Sequence, residues 1–159
     1  RNLPEFRRNA FYTAYGEGWA LYAETLGFEL GLYADPASRF GHLQWQAFRA
    51  ARLVVDTGIH AFGWSRERAI DFMVERTGVD RVFVGSEVDR YTSDPGQALA
   101  YMIGKLKIDE LRDRAKNKLG AKFDIRRFHN LLLDQGALPL DVLEKVADEW
   151  IAAQAARKP

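Results

Sequence analysis

Glycine and proline punctuate this sequence at intervals that suit helices and leave little room for a sheet. From Phe6 to Leu30, FRRNAFYTAYGEGWALYAETLGFEL carries apolar side chains on nearly every side, which predicts one buried helix ended by Gly31. Asp35-Pro36 marks a loop. A second helix runs from Ala37 to Phe62, with Gly63 as its C-terminal cap. Ser65 caps a third, from Arg66 to Thr77, whose Glu67 suits the positive end of the dipole and which Gly78 ends. Asp94-Pro95-Gly96-Gln97 combines a cap, a first-turn proline and a glutamine able to reach back, so it starts a helix that stops at Gly120. Asp124 starts another, ending near Gly136. Pro139 opens the last, with Leu140, Leu143, Val146, Trp150 and Ile151 on one stripe and a tail from Ala152 that is expected to fray. Val82-Phe83-Val84 reads as a short strand or a buried turn, and Glu87 to Tyr91 as one helical turn. The expectation is an all-α fold, an irregular bundle of about six helices forming a single domain over residues 1–159.

Composition narrows the function classes. With 47% apolar and 28% charged residues the chain is that of a folded protein rather than a disordered one. A net charge of +1 argues against nucleic-acid binding through bulk charge, and the run Arg112, Arg114, Lys116, Lys118 and Lys122 is diluted by Asp109, Glu110 and Asp113 into a solvated face. The chain has no cysteine, which excludes disulfides, thiolate zinc sites and cysteine nucleophiles. No apolar run approaches a membrane span. The chain starts at Arg1, already leading into a helix, which predicts a processed product or a piece of a longer protein.

Polar residues in apolar surroundings mark the candidate sites. Glu17 and Glu24 stand two helical turns apart on one face of the first segment. A buried carboxylate needs a cation, a metal or a proton, so structural salt bridges and a metal or catalytic role both stand. In the second helix His42, Trp45, Arg49, Arg52, Asp56 and His60 form one stripe containing neither Lys nor Glu. Arginine suits fixed pairing with carboxylates, and Asp56, four residues before His60, is placed to orient the imidazole. An active-site wall and a structural ion-pair network both fit this stripe. Gln97, Tyr101 and Lys105 follow at i, i+4, i+8, which puts them on one cleft if the helix faces one, with Tyr101 able to donate to a developing oxyanion. A core-boundary Tyr and a solvated Lys fit equally simple chemistry. Glu87, Asp89, Arg90 and Tyr91 form a dense polar cluster before them, and His129 sits at a core edge. There is no His-Glu-x-x-His, P-loop, Gly-x-Ser-x-Gly or EF-hand loop, and the three histidines, 42, 60 and 129, include no i, i+4 pair for a two-histidine zinc site.

Four stretches, EGWALYAE (Glu17 to Glu24), RAARLVVDTGIHAFGW (Arg49 to Trp64), EVDRYTSDPGQALAYMIGKLKI (Glu87 to Ile108) and FHNLLLDQGALPLDVLE (Phe128 to Glu144), together resemble a bacterial domain-of-unknown-function family grouped with the gluzincin-type zinc metallopeptidases. The resemblance covers the chain in order. It implies the C-terminal part of a longer, zincin-like helical enzyme, in a family where many members are exported or lipid-anchored. Its His-Glu and second-His metal motif would lie upstream of Arg1, and that missing part would be this chain's first partner, covering the first helix. Glu17 would then be the third zinc ligand, with Glu24 beside it or in its place. His60, oriented by Asp56, would stabilise the oxyanion as zinc-bound water attacks a peptide, with Tyr91 and Tyr101 as further candidates and Glu17 facing the same cleft. Arg49, Arg52, Arg90 and Lys105, with Gln97, would bind a peptide carboxylate or hold the cleft together. Zinc would not be held by this chain alone. A non-catalytic scaffold that self-associates through the first helix is the competing expectation.

Overall fold

The computed structural model describes residues 3–157. Among them are eight α-helices, two short 3-10 turns and no strand, so the fold is all-α. The helices are α1 Glu5–Asn9, α2 Thr13–Glu29, α3 Pro36–Phe62, α4 Arg66–Thr77, α5 Arg81–Ser93, α6 Ala100–Leu119, α7 Ile125–Asp134 and α8 Leu140–Ala156. The chain divides into two compact units: a central one, residues 23–102, and one assembled from residues 1–22 and 103–159.

Most helix ends fall where the local chemistry puts them. Asp35 ends the loop and caps α3, its carboxylate accepting from the Ser38 N–H at 2.9 Å with Pro36 in the first turn. Ser65 caps α4 and Asp124 caps α7. Gly63, Gly78 and Gly120 take the left-handed conformation at φ 63°, 64° and 50°, which side chains with a Cβ resist. The last helix runs to Ala156, so residues expected to fray from Ala152 are helical as far as that point, and Lys158 and Pro159 lie outside the described residues.

Three expectations are corrected. The single helix expected from Phe6 to Leu30 is two, because Ala10 turns extended at ψ 136° and Tyr12 supplies the carbonyl that starts α2. Phe11 folds its ring back over Gly16, where an added Cβ would meet it at 3.1 Å. The stretch expected to hold a strand or turn is the full helix α5. Asp80 caps it by accepting from the Val82 and Phe83 N–H groups at 2.9 and 3.1 Å, and the buried Val84, Val88 and Tyr91 follow the helical repeat. Asp94 ends α5 instead of starting the next helix, Gly96 turns left-handed at φ 83°, and a 3-10 turn over Gln97–Leu99 precedes α6.

The central unit packs α3, α4 and α5 around Phe48, Val55, Ala69, Met73, Val84, Val88 and Tyr91, with Trp64 and Phe72 partly buried against this cluster. In the other unit, the buried side chains include Tyr15 and Tyr22 of α2, Ile108, Leu111 and Ala115 of α6, Phe128 and Leu132 of α7, and Leu143 and Ala147 of α8. There the backbones of α2 and α6 touch, with Gly18 of one against Gly104 of the other. The basic run of α6 is tied to α8: Arg114 pairs with Glu144 at 2.6 Å and Asp148 at 2.7 Å, and Lys122 donates to the Ala155 and Arg157 carbonyls.

Candidate functional site

The polar stripe of α3 divides into two halves with different work. Its C-terminal half locks α3 to α5 and the turn beyond. Arg52, only 7% exposed, donates from Nε to the Tyr91 hydroxyl at 2.8 Å and from Nη2 to Glu87 at 2.6 Å. Its guanidinium also lies 4.8–5.5 Å from the ring centres of Tyr101, Phe48 and Tyr91, where an arginine gains from the ring faces. Tyr91, fully buried, donates a hydrogen bond from its hydroxyl to Glu87 at 2.9 Å. Arg90 completes the ring of bonds, reaching Glu87 and, at 2.7 Å, the side-chain oxygen of Gln97.

Asp56 and His60, expected to act together, have separate partners. The Asp56 carboxylate takes the Gly96 N–H with both oxygens at 3.1 Å, which holds the turn before α6. His60 meets the Tyr91 carbonyl at 2.9 Å through Nε2. A carbonyl only accepts, so Nε2 donates this bond. Tyr91, expected as an oxyanion donor, has its proton committed to Glu87. Tyr101 has a half-buried ring under Arg52 and a hydroxyl without a partner among the described residues. Lys105, on the part of α6 in the other unit, pairs with Asp109 one turn on.

The electrostatics of the lock centre on Glu87. Burial pushes its carboxyl up, but hydrogen bonds from Arg90, Tyr91 and Arg52 outweigh this and hold it below the usual glutamate value of 4.5. Burial pushes the Tyr91 hydroxyl far up, so it serves as a neutral hydrogen-bonding group and not as a base. Because Glu87 takes a proton less readily when folded, its contribution is present above pH 4.5 and is lost as pH falls through the depressed folded value. Urea unfolding between pH 6 and 3 is therefore expected to show an acid loss of stability that Glu87→Gln flattens (the variant being weaker at neutral pH). An unchanged pH slope in the variant would contradict this role.

The N-terminal half of the stripe opens onto a cavity of about 530 Å³ in the central unit. Arg49 and Trp45 line it from α3, Glu24 and Tyr33 from the end of α2 and the loop after it, and Phe83 from α5. His42 and the Arg52–Glu87 pair also reach its wall. His42 is 8% exposed and sits between the Phe28 and Tyr33 rings at 4.9 Å from each. Tyr33 is fixed by its hydroxyl, which donates to the Glu24 carbonyl at 3.1 Å, and by a bare Gly27 against which its ring packs. Sequence reasoning passed over Tyr33 and Phe83 and gave Glu87 no role, although Glu87, Arg90 and Tyr91 at i, i+3, i+4 were a readable signal.

Glu17, the expected metal ligand, is half-buried in the unit built from the chain ends and has no partner among the described residues. Among those residues no three His, Asp or Glu stand together as a metal-binding group. His60 meets a carbonyl, His129 meets the Tyr22 hydroxyl at 2.8 Å, and His42 is enclosed by rings. The donors present therefore fit a zinc ion only as one carboxylate of a set completed by residues outside this chain, and no metal-dependent step follows from them.

No curated protein matches this chain. Among solved structures it is similar to the putative lipoprotein from Colwellia psychrerythraea, at 50% identity and a TM-score of 0.92, covering 95% of this chain. It spans 26% of that longer protein. The family model for DUF885, described as bacterial protein of unknown function, matches residues 1–146. The chain thus belongs to the DUF885 family of bacterial proteins.

Proposed function

We propose that this chain is the substrate-cleft portion of a zinc-dependent peptidase whose two histidines and general base lie outside these residues. The observation that supports the reading best is the Glu17 carboxylate, half-buried in the EGW segment with no partner among the described residues. A carboxylate withdrawn from water without a cation is costly, and a metal ion would offset that cost. Zinc, when bound, would activate water for attack on a peptide carbonyl. Residues of this chain would hold the substrate: Arg49 and Arg52 at the cavity wall, and Tyr101 through its unpartnered hydroxyl. Glu24 is the second candidate ligand. Export, as for a lipoprotein, is part of the same proposal; among the described residues no helix is long and apolar enough to cross a membrane.

The test is Glu17→Gln in the complete protein from its source cells. Zinc content by elemental analysis and peptide hydrolysis should both fall, the latter by roughly a hundredfold or more if the ligand is essential. Normal zinc with near-full activity would sink the assignment. A second reading, a helical scaffold without a metal, is favoured by apolar side chains left in the open, including Phe6 at 74%, Phe62 at 73% and Val82 at 82% exposure. It predicts concentration-dependent sedimentation together with zinc-free protein.

A further inference from the structure

The cavity of the central unit holds a combination of charges that the lock beside it does not explain. Arg49 has no carboxylate partner among the described residues, whereas Arg52, Arg66, Arg81, Arg90 and Arg114 each have one. Among the described residues its Nε is buried and unbonded, and its one hydrogen bond, Nη1 to the Trp45 carbonyl, is long at 3.3 Å. The guanidinium is nonetheless fixed, stacked 5.2 Å from the centre of the Trp45 ring. Behind it, Arg52 is more than nine-tenths buried and leaves Nη1 unbonded as well. Buried N–H groups without acceptors are rare and costly, and two on adjacent guanidinium groups lining one cavity point to an absent acceptor. The same cavity carries the Glu24 carboxylate, which has no partner among the described residues; the Glu24 carbonyl accepts from the Tyr33 hydroxyl. Trp45, Tyr33 and Phe83 supply its apolar walls.

We infer that this cavity recognises a small zwitterion with an aromatic side chain, a free amino acid or a dipeptide. The carboxylate of the ligand lies against Arg49, accepting from its terminal N–H groups. Its ammonium is held by Glu24, and its ring packs against Trp45, Tyr33 and Phe83. The volume of about 530 Å³ lies within the range of small-molecule sites. The inference rests on the cleft reading for the peptide-like character of the ligand, but it concerns binding and needs no bond cleavage.

Isothermal titration of the intact protein with L-phenylalanine, glycyl-L-phenylalanine, L-phenylalaninamide and N-acetyl-L-phenylalanine tests it. The first two share the phenylalanine ring and carboxylate, and the dipeptide carries its ammonium one residue further away, so the tighter of them says whether an amino acid or a dipeptide is preferred. The amide, which lacks the carboxylate, should bind roughly tenfold to a hundredfold more weakly than the acid, and the N-acetyl compound should lose a comparable factor. In Arg49→Met the acid and the amide should bind alike, and in Glu24→Gln the penalty for acetylation should vanish. Equal affinity of acid and amide for the unmodified protein, or no binding of any of the four, overturns the inference without requiring a variant that folds. If binding persists while the unmodified protein neither holds zinc nor hydrolyses peptides, the pocket stands and the peptidase reading falls. If binding is absent while Glu17→Gln abolishes hydrolysis, the reverse holds.

Discussion

Gly104→Ala is expected to be among the most destabilising single substitutions in this chain, although it adds one methyl group. The backbones of α2 and α6 meet at Gly18 and Gly104. A Cβ on Gly104 would press onto the Ala14 carbonyl oxygen and lie 2.7 Å from the Gly18 Cα, while one on Gly18 would lie 2.5 Å from the Gly104 carbonyl carbon and 2.9 Å from the Lys105 nitrogen. Every neighbour is backbone, so relief requires the two helices to separate and no side chain can turn away. Overpacking costs about 1–3 kcal/mol when side chains can adjust, and this contact belongs at or above the upper end. Separating the helices would also loosen the cover on Tyr15, whose hydroxyl donates to the Leu132 carbonyl at 2.8 Å, and on the fully buried Tyr22. Gly41→Ala is the control. Gly41 lies within α3 with open space where its Cβ would be, so alanine there should gain about 0.5–1 kcal/mol from helix propensity. Urea midpoints of the two variants, measured in the same intact protein, should move in opposite directions. A Gly104→Ala midpoint within error of the parent would mean that the helices do not touch at this point.

The second large effect belongs to Arg52. Its side chain is 9% exposed and that of its partner Glu87 is 18% exposed, so the pair is screened little by solvent. Removing one member of such a pair strands the other and costs about 3–5 kcal/mol. Arg52→Ala would strand Glu87 beside Arg90 alone, empty the space between the Phe48, Tyr91 and Tyr101 rings, and leave the Tyr91 hydroxyl without its donor. Arg52→Lys keeps the charge but cannot hold Tyr91 and Glu87 at once with the flat fork of a guanidinium, so it should recover only part of the loss. Chemical unfolding of Arg52→Ala, Glu87→Gln and the double variant measures the coupling directly. Additive effects of the two single substitutions would show that the pair is not a unit.

The two halves of the α3 stripe explain why the sequence left its meaning open. The spacing of His42, Trp45, Arg49, Arg52, Asp56 and His60 placed all six on one face, and the shortage of Lys and Glu marked that face as other than solvated. Of the two readings then open, an active-site wall and an ion-pair network, the structure shows the network along one half of the stripe and a cavity beside the other. Which residues serve which depends on what stands opposite. The Glu87 carboxylate, the Tyr91 carbonyl and the Gly96 N–H face Arg52, His60 and Asp56 from 31 to 40 residues further along the chain. No periodicity within α3 encodes that placement.

Local chemistry fixed five helix boundaries, because a cap or a left-handed glycine acts within a few residues: Ser65, Asp124, Gly63, Gly78 and Gly120 were all legible. Helix type in the stretch Arg81–Ser93 was not legible. Its β-branched residues and Gly85 weaken local propensity, and it is burial of Val84, Val88 and Tyr91 in the core of the central unit that makes it a helix. The motif containing Gly18 was visible, but the need for glycine was not, since it arises only when Gly104 arrives against it from far along the chain. The sequence by itself determined the helical class, the helix ends marked by local caps and the family to which the chain belongs. The tertiary structure alone decided which polar residues are locked and which line a cavity, because satisfaction of a buried charge is a property of the partners that folding brings to it.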